Sequence, residues 1–170
     1  MRRFAGRVWR HVPVGAEPLH LGWILRAGRG RWNSRRPRLP CLYTSLTAAG
    51  ATAEFEKHHA TYGAPRRRDL VSVEVDVGPV LDLTDRRILR AAGIDPEVLT
   101  GDRPWELAAC RAIAGHFVLG EGYGAILAPS AARTGESNLM IYLRTTAGIR
   151  HLGNGPDRLT ITPGGVRNAG

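Results

Sequence analysis

Lysine is nearly missing from this chain. Lys57 stands alone among 170 residues, so the net charge of +9 is carried by arginine. Arginine presents a planar, bidentate fork suited to phosphate, but arginine in place of lysine is also what a GC-rich genome produces, and the charge by itself names no partner. Cysteine is scarce too. Cys41 and Cys110 are the only two, and neither has a CxxC or CxxH neighbour, which leaves a disulfide framework or a zinc site without support. No apolar run approaches the roughly 18 residues that span a bilayer. The basic start Met1-Arg2-Arg3-Phe4-Ala5-Gly6-Arg7 runs into Val8-Trp9-Arg10-His11 without the apolar stretch of a signal peptide, so a cytoplasmic protein with no membrane association is expected.

Several catalytic signatures are also lacking. There is no GxGxxG after a strand, no GxxxxGK[ST], no HExxH and no GxSxG, so dinucleotide-fold, P-loop, zincin and hydrolase chemistries lack their mechanical parts. His58-His59 has no ligand at the i+4 position that a helical metal site needs, and two partly exposed histidines are the simpler reading. No metal is expected. The arginine clusters Arg35-Arg36-Pro37-Arg38 and Arg66-Arg67-Arg68 contain no interleaved aromatics, which favours solvated loop faces over a binding surface for nucleic acid, an acidic protein or a nucleotide.

What is present reads as one α+β domain over residues 1–170, since 43% apolar content at this length supports one core and is short for two. Residues 7–13 alternate bulky and polar groups as a half-buried strand does, closed by Pro13. Residues 26–40 are rich in Gly, Arg and Pro and read as a loop. A short strand over Cys41–Ser45 leads into a helix from Thr47 to Tyr62, where Ala48, Ala51, Phe55 and Tyr62 share a face, with Gly63 and Pro65 as stop signals. Val71 to Val77 alternates without a break and is the clearest strand. Leu83–Ala92 predicts a short helix, and Asp102 is placed to cap another over Arg103–His116, with Pro104 in its first turn. Ala125–Ala128 and Asn138–Leu143 read as strands, and Leu159–Thr162 as an edge strand before a flexible Gly-rich tail. Helices cluster in the middle and strands dominate the end. That order favours a curved, mainly antiparallel sheet with flanking helices over a doubly wound fold.

The chemistry concentrates in the first third. Trp9-Arg10, Gly30-Arg31-Trp32-Asn33, Leu42-Tyr43-Thr44-Ser45 and Glu54, eleven positions after Tyr43, set arginines, aromatics and one carboxylate where a single cleft would hold a negatively charged dinucleotide. Each has an ordinary structural reading as well. Glu54 at an exposed helix position would pair with His58 one turn on. Arg31 would form a surface ion pair, whereas Arg10, between Trp9 and Val12 in a half-buried strand, needs a partner. Tyr43 would be a core aromatic, Trp32 packing, Asn33 a turn former, and Ser130, after Pro129, a turn or helix cap.

These motifs, with the later Gly124-Ala-Ile-Leu-Ala-Pro-Ser130-Ala-Ala-Arg133 and Asn138-Leu139, resemble the RES domain, a family named for an arginine, a glutamate and a serine. The resemblance runs from Val8 to Leu143, and its departures are Trp32 in place of other aromatics and the added Arg35–Arg38 cluster. It implies an ADP-ribosyltransferase-like fold with a split β-sheet and a core over residues 8–143. It also implies action on NAD as the toxin of a toxin–antitoxin pair with an Xre-like antitoxin, any contact with DNA running through that antitoxin in an oligomeric complex. On this resemblance the family's arginines fall on Arg10 and Arg31, its tyrosine on Tyr43, its glutamate on Glu54 and its serine on Ser130.

The chemistry fits those roles. Cleaving the nicotinamide–ribose bond builds positive charge on the ribose, which a fixed carboxylate stabilises, the role assigned to Glu54; Glu56, the nearest competitor, would lie on another face of the helix. Arg31 and Arg10 would hold the pyrophosphate through paired N–H donors, and Tyr43 would stack on nicotinamide or donate to the ribose. Glu54, Arg31 and Ser130 are thus the candidate catalytic set, and Arg10, Tyr43, His11, Trp32, Asn33 and Ser45 candidate NAD contacts. Water as acceptor would make the protein an NAD glycohydrolase, inorganic phosphate a phosphorylase, and a protein side chain an ADP-ribosyltransferase, with the first two favoured. The rival of a different class is a non-enzymatic, basic nucleic-acid-binding protein whose affinity falls steeply with salt.

Overall fold

The computed structural model describes residues 2–16, 30–33, 41–62, 67–142 and 160–168. The Arg35–Arg38 cluster, Arg66, the stop signals Gly63 and Pro65, and the expected strand ends Leu143 and Leu159 lie outside them. Among the described residues, six strands and three α-helices follow the order β1 (Arg2–Pro13), β2 (Cys41–Ser45), α1 (Ala48–Tyr62), β3 (Arg68–Asp82), α2 (Arg86–Ala91), α3 (Pro104–Ala114), β4 (Ala125–Pro129), β5 (Ser137–Tyr142) and β6 (Thr160–Asn168). A 3-10 turn, Pro96–Leu99, precedes α3, and a π-helical segment, Gly115–Gly120, continues it.

The strand pairing closes on itself. The sheet order β1-β2-β5-β4-β3-β6 is joined by a further β1–β3 pairing, so β1, β2, β5, β4 and β3 form a ring with β6 outside it on β3. Every pairing is antiparallel except β3 with β4, in accord with the expected mainly antiparallel α+β sheet. Long β3 makes this possible: Val71, Val73 and Val75 lie opposite β1, and Val80–Asp82 lie beside Ala125–Leu127 of β4.

Side chains alternate across strands with a period of two, and here the alternation separates two cores. Leu42, Leu139, Ile141, Ala125 and Leu127 pack with Val8, Val73, Val75, Val77 and Val80. Cys41, Met140, Tyr142, Ile126 and Ala128, their neighbours in sequence, pack instead with Leu83, Leu89, Leu99, Cys110, Ala114 and Val118 from the helical segment. The helical segment from Leu83 to Val118 thus covers one face of β2, β5 and β4, and the valine-rich strands cover the other.

Local chemistry sets the element ends. Thr47 lies just ahead of α1 and caps it, its hydroxyl accepting from Gly50 N–H at 2.9 Å. Asp85 caps α2 by accepting from Arg87 N–H at 2.8 Å, so this helix begins at Arg86, and Leu83 ends the preceding strand by bonding to Leu127. The expected cap of α3 is corrected. Arg103, not Asp102, is the N-cap residue, and its N–H donates to the Glu106 carboxylate at 2.7 Å. This helix stops at Ala114, because the chain widens into the π-helical segment before reaching His116. The last strand also runs further than expected, since Pro163–Asn168 continues the ladder on β3 as far as the Asn168–Asp69 pair in place of a loose tail. Glycine and proline are acceptable there because β6 is an edge strand.

Leu139 is fully buried in the core shared with the valine-rich strands, whereas Leu119 on the π-helical segment is 52% exposed. Leu139→Ala is expected to lower unfolding stability by about 2–5 kcal/mol and Leu119→Ala by less than about 0.5 kcal/mol in denaturant titrations. Equal effects would contradict this core assignment.

Candidate functional site

Two phenols fix the turn that carries Arg31. Tyr43, in the middle of β2, accepts a hydrogen bond from Trp32 N–H at 2.8 Å and donates to Asn33 Oδ1 at 3.0 Å, while Tyr142 of β5 donates to the Trp32 carbonyl at 2.9 Å. Burial pushes both phenols well above their ordinary pKa. Trp32 is itself 3% exposed within the core that the helical segment covers, and Asn33 is buried. The turn also depends on Gly30, because a β-carbon there would collide with the Tyr43 hydroxyl and Asn33 Oδ1. Trp32 is therefore packing, Asn33 a turn partner, and the Tyr43 hydroxyl is committed to the protein's own chain.

Pinned in this way, Arg31 reaches across to the segment before α3. Its guanidinium donates to the Gly101 carbonyl and, at 2.6 Å, to Asp102 Oδ1. The other Asp102 oxygen accepts from Lys57 Nζ at 2.7 Å, and Lys57 also donates to the Ala131 carbonyl at 2.9 Å. The hydrogen bond from Lys57, more than the nearby Arg31, holds the Asp102 carboxyl below its usual pKa. A polar strap thus joins the Arg31 turn to α1 and to the β4–β5 connection.

Glu54 lies on α1 one turn before Lys57. Its Oε1 accepts from Ser130 Oγ and from Asn138 Nδ2, both at 2.6 Å. Ser130 follows β4 and is 5% exposed; its Oγ accepts the N–H groups of Ala132 and Arg133 at 3.1 Å each, so it caps a turn and serves the carboxylate together. Ser45, at the end of β2, donates to Asn138 Oδ1 at 2.7 Å. Glu54 is thus held by Ser130 and Asn138, its charge also acts on His58 one turn on, and Glu56 is exposed. The structure brings Glu54, Ser130 and Ser45 into one hydrogen-bonded set, with Arg31 linked to it through Asp102 and Lys57.

Arg10 and His11 occupy opposite faces of β1. Arg10 lies between Val8 and Val12 on the inward face, one residue from the Trp9–Ser45 pair, and is 5% exposed. Burial, then the charge of Arg68, lowers its pKa to about 10. His11 stacks on Phe55 of α1, with ring centroids 4.6 Å apart, and neither ring nitrogen has a hydrogen-bond partner among the described residues. Burial and then Arg68 lower its pKa, and the same two causes act first on His58. Neither Arg10 nor His11 donates to Glu54.

Asn138, Lys57 and Asp102 are members of this site that motif reading did not assign. Asn138 stood in a recognised motif without a role, and Asp102 was assigned to a helix cap. The signal for Lys57 was its i+3 spacing from Glu54. Among the described residues, no cluster of three or more His, Cys, Asp or Glu side chains is placed to hold a metal ion, and no helix is long and apolar enough to cross a membrane.

A family model described as RES domain matches residues 7–157. The fold is similar to that of a chain in the crystal structure of the M. tuberculosis MbcT–MbcA toxin–antitoxin complex, with a TM-score of 0.69, 20% sequence identity, and coverage of 98% of this chain and 85% of that one. No curated protein sequence matches the chain.

Gly30→Ala is expected to lower the thermal midpoint at least as much as Tyr43→Phe, because it blocks the turn that the phenol holds. A Gly30→Ala protein as stable as wild type would contradict the close approach. Since the folded state holds His11 less basic than the unfolded chain does, the unfolded chain binds more protons below about pH 6.5, and stability falls as the pH drops. His11→Phe keeps an aromatic on Phe55 and is expected to flatten the dependence of the denaturation midpoint between pH 7 and pH 5; an unchanged slope would count against the shift.

Proposed function

The chain belongs to the RES domain family, and from that premise we propose that it is the toxin of a toxin–antitoxin pair, one that cleaves the bond between nicotinamide and ribose in NAD. The observation that carries this reading is the carboxylate of Glu54, fixed by two 2.6 Å donors between α1 and the ends of β4 and β5. As the glycosidic bond breaks, its electron pair leaves with neutral nicotinamide and positive charge develops at the ribose carbon. A carboxylate already oriented by the fold stabilises that charge without having to reorganise at the moment of reaction.

Arg31 and Arg10 supply the donors for the pyrophosphate in this proposal. Arg31 now donates to Asp102 and to a carbonyl, so substrate phosphate would share or replace the Asp102 contact. Tyr43 acts by holding the turn, and Ser130 by orienting Glu54. The acceptor is water or inorganic phosphate, whose oxygen forms the new bond to the ribose carbon; the proton released from water goes to solvent or to a nearby base. The arginine-rich surface suits phosphate, NAD pyrophosphate and an acidic antitoxin alike.

The whole chain 1–170 acts here as one catalytic domain with an ADP-ribosyltransferase-like split sheet, working in the cytoplasm on the NAD pool. The protein of the similar solved structure is described as part of a toxin–antitoxin complex, which supports an antitoxin partner. An Xre-like antitoxin would also supply any contact with DNA.

Purified protein incubated with NAD is expected to release free nicotinamide together with an equal amount of ADP-ribose in plain buffer, or of a phosphorylated ADP-ribose when phosphate is supplied. Glu54→Gln is expected to reduce the rate by at least about 100-fold while leaving the fold intact. Induced expression should arrest growth for wild type and not for Glu54→Gln. A folded protein, free of antitoxin, that releases no nicotinamide under either condition would sink the reading, and ADP-ribose attached to protein would redirect it to protein modification.

A further inference from the structure

We propose that Asn138 positions Glu54 alongside Ser130, and that Ser45 acts through Asn138 without touching substrate; this rests on the reading of Glu54 as the charge-stabilising carboxylate. A carboxylate on a helix can rotate about its last bond. Its two oxygens become inequivalent only when donors select one of them. Here both donors select Oε1, one from the turn after β4 and one from β5. Among the described residues, Oε2 takes part in no hydrogen bond, and it is the oxygen left to face a ribose hydroxyl or the developing cation.

The direction of each bond follows from its other partners. The Ser130 oxygen already accepts two backbone N–H groups, so its own proton is turned toward Glu54. The Asn138 amide has two orientations, and only one is compatible with the carboxylate. Flipped, its oxygen would stand 2.6 Å from Glu54 Oε1, acceptor against acceptor. Ser45 favours the productive orientation by donating to Asn138 Oδ1, which leaves Nδ2 for the carboxylate.

The backbone makes this relay rigid. Ser45 of β2 lies directly opposite Asn138 of β5, and Asn138 lies opposite Ala128 of β4, so the amide stands on a central strand paired on both sides. The neighbouring contacts reinforce the register: the Thr44 hydroxyl donates to the Leu139 carbonyl at 2.7 Å, and Leu46 N–H to the Ser137 carbonyl at 3.0 Å. A donor held by two ladders keeps the carboxylate within the small error that catalysis tolerates.

The test combines turnover and stability in Ser45→Ala, Ser45→Thr, Asn138→Ala and the Ser45→Ala/Asn138→Ala double variant, with wild type and Glu54→Gln as references. Asn138→Ala is expected to lower kcat for nicotinamide release by about 10–100-fold with a smaller change in KM. Ser45→Ala should lower kcat by about 2–10-fold, the worth of one hydrogen bond, and Ser45→Thr should restore it because the hydroxyl returns. The double variant should be no slower than Asn138→Ala, and the thermal shifts of the two single variants should likewise fail to add. Additive effects, or an Asn138→Ala enzyme with wild-type kcat, would overturn the proposal. If wild type itself releases no nicotinamide, the reading of function fails, while non-additive thermal shifts still report the relay and additive ones remove it.

Discussion

A partly buried carboxylate needs donors, and supplying them to Glu54 ties three separate parts of this chain together. Ser130 comes from the turn after β4, Asn138 from β5, and Glu54 from α1, over sequence separations of 76 and 84 residues. Nothing local in the sequence of α1 could hold the carboxylate in this way. Asn138 is placed by the sheet, because it reaches its position through pairing with both β2 and β4. The two cores, one on each face of those strands, stabilise that pairing and so the geometry of the site.

A second constraint is the cost of leaving arginine unpaired away from water. Arg31 has only 13% of its side chain exposed, and Asp102 and the Gly101 carbonyl meet it. Because Asp102 also binds Lys57, the sole lysine of the chain, the arrangement links the turn at residues 30–33 to the helix of Glu54. The arginine proposed to meet substrate is therefore placed by the same elements as the carboxylate proposed to stabilise charge. Two phenols complete the mounting, and both act on the main chain of the turn.

The strands were legible where a period of two met a buried face. Val71–Val77 shows this best, whereas Cys41–Ser45 is buried on both faces; β3 runs on through Pro79 to Asp82 and β1 starts as early as Arg2. Asp102 illustrates the other outcome. A carboxylate ahead of Pro104 reads locally as a helix cap, but Glu106 supplies that hydrogen bond from inside the helix, and Asp102 is drawn to two cations distant in sequence. Likewise, Pro163-Gly164-Gly165 carries the composition of a tail, and only the open edge of β3 makes it a strand. At the site, motif order gave Glu54, Ser130 and Arg31. What it could not give was direction: which oxygen is held, which hydroxyl serves an amide, and that the Tyr43 hydroxyl faces the chain. Those depend on long-range register, which single-residue chemistry does not contain.

In the proposed reaction Glu54, held by its two donors, stabilises cleavage of the nicotinamide–ribose bond. Proton NMR of NAD mixed with the folded protein in phosphate buffer follows the anomeric proton of the nicotinamide ribose directly. With wild type, that signal should decay while free nicotinamide appears in equal amount, and with Glu54→Gln both signals should stay essentially constant. A Glu54→Gln protein that cleaves NAD at the wild-type rate, or a wild type that leaves the anomeric signal unchanged, would contradict the account.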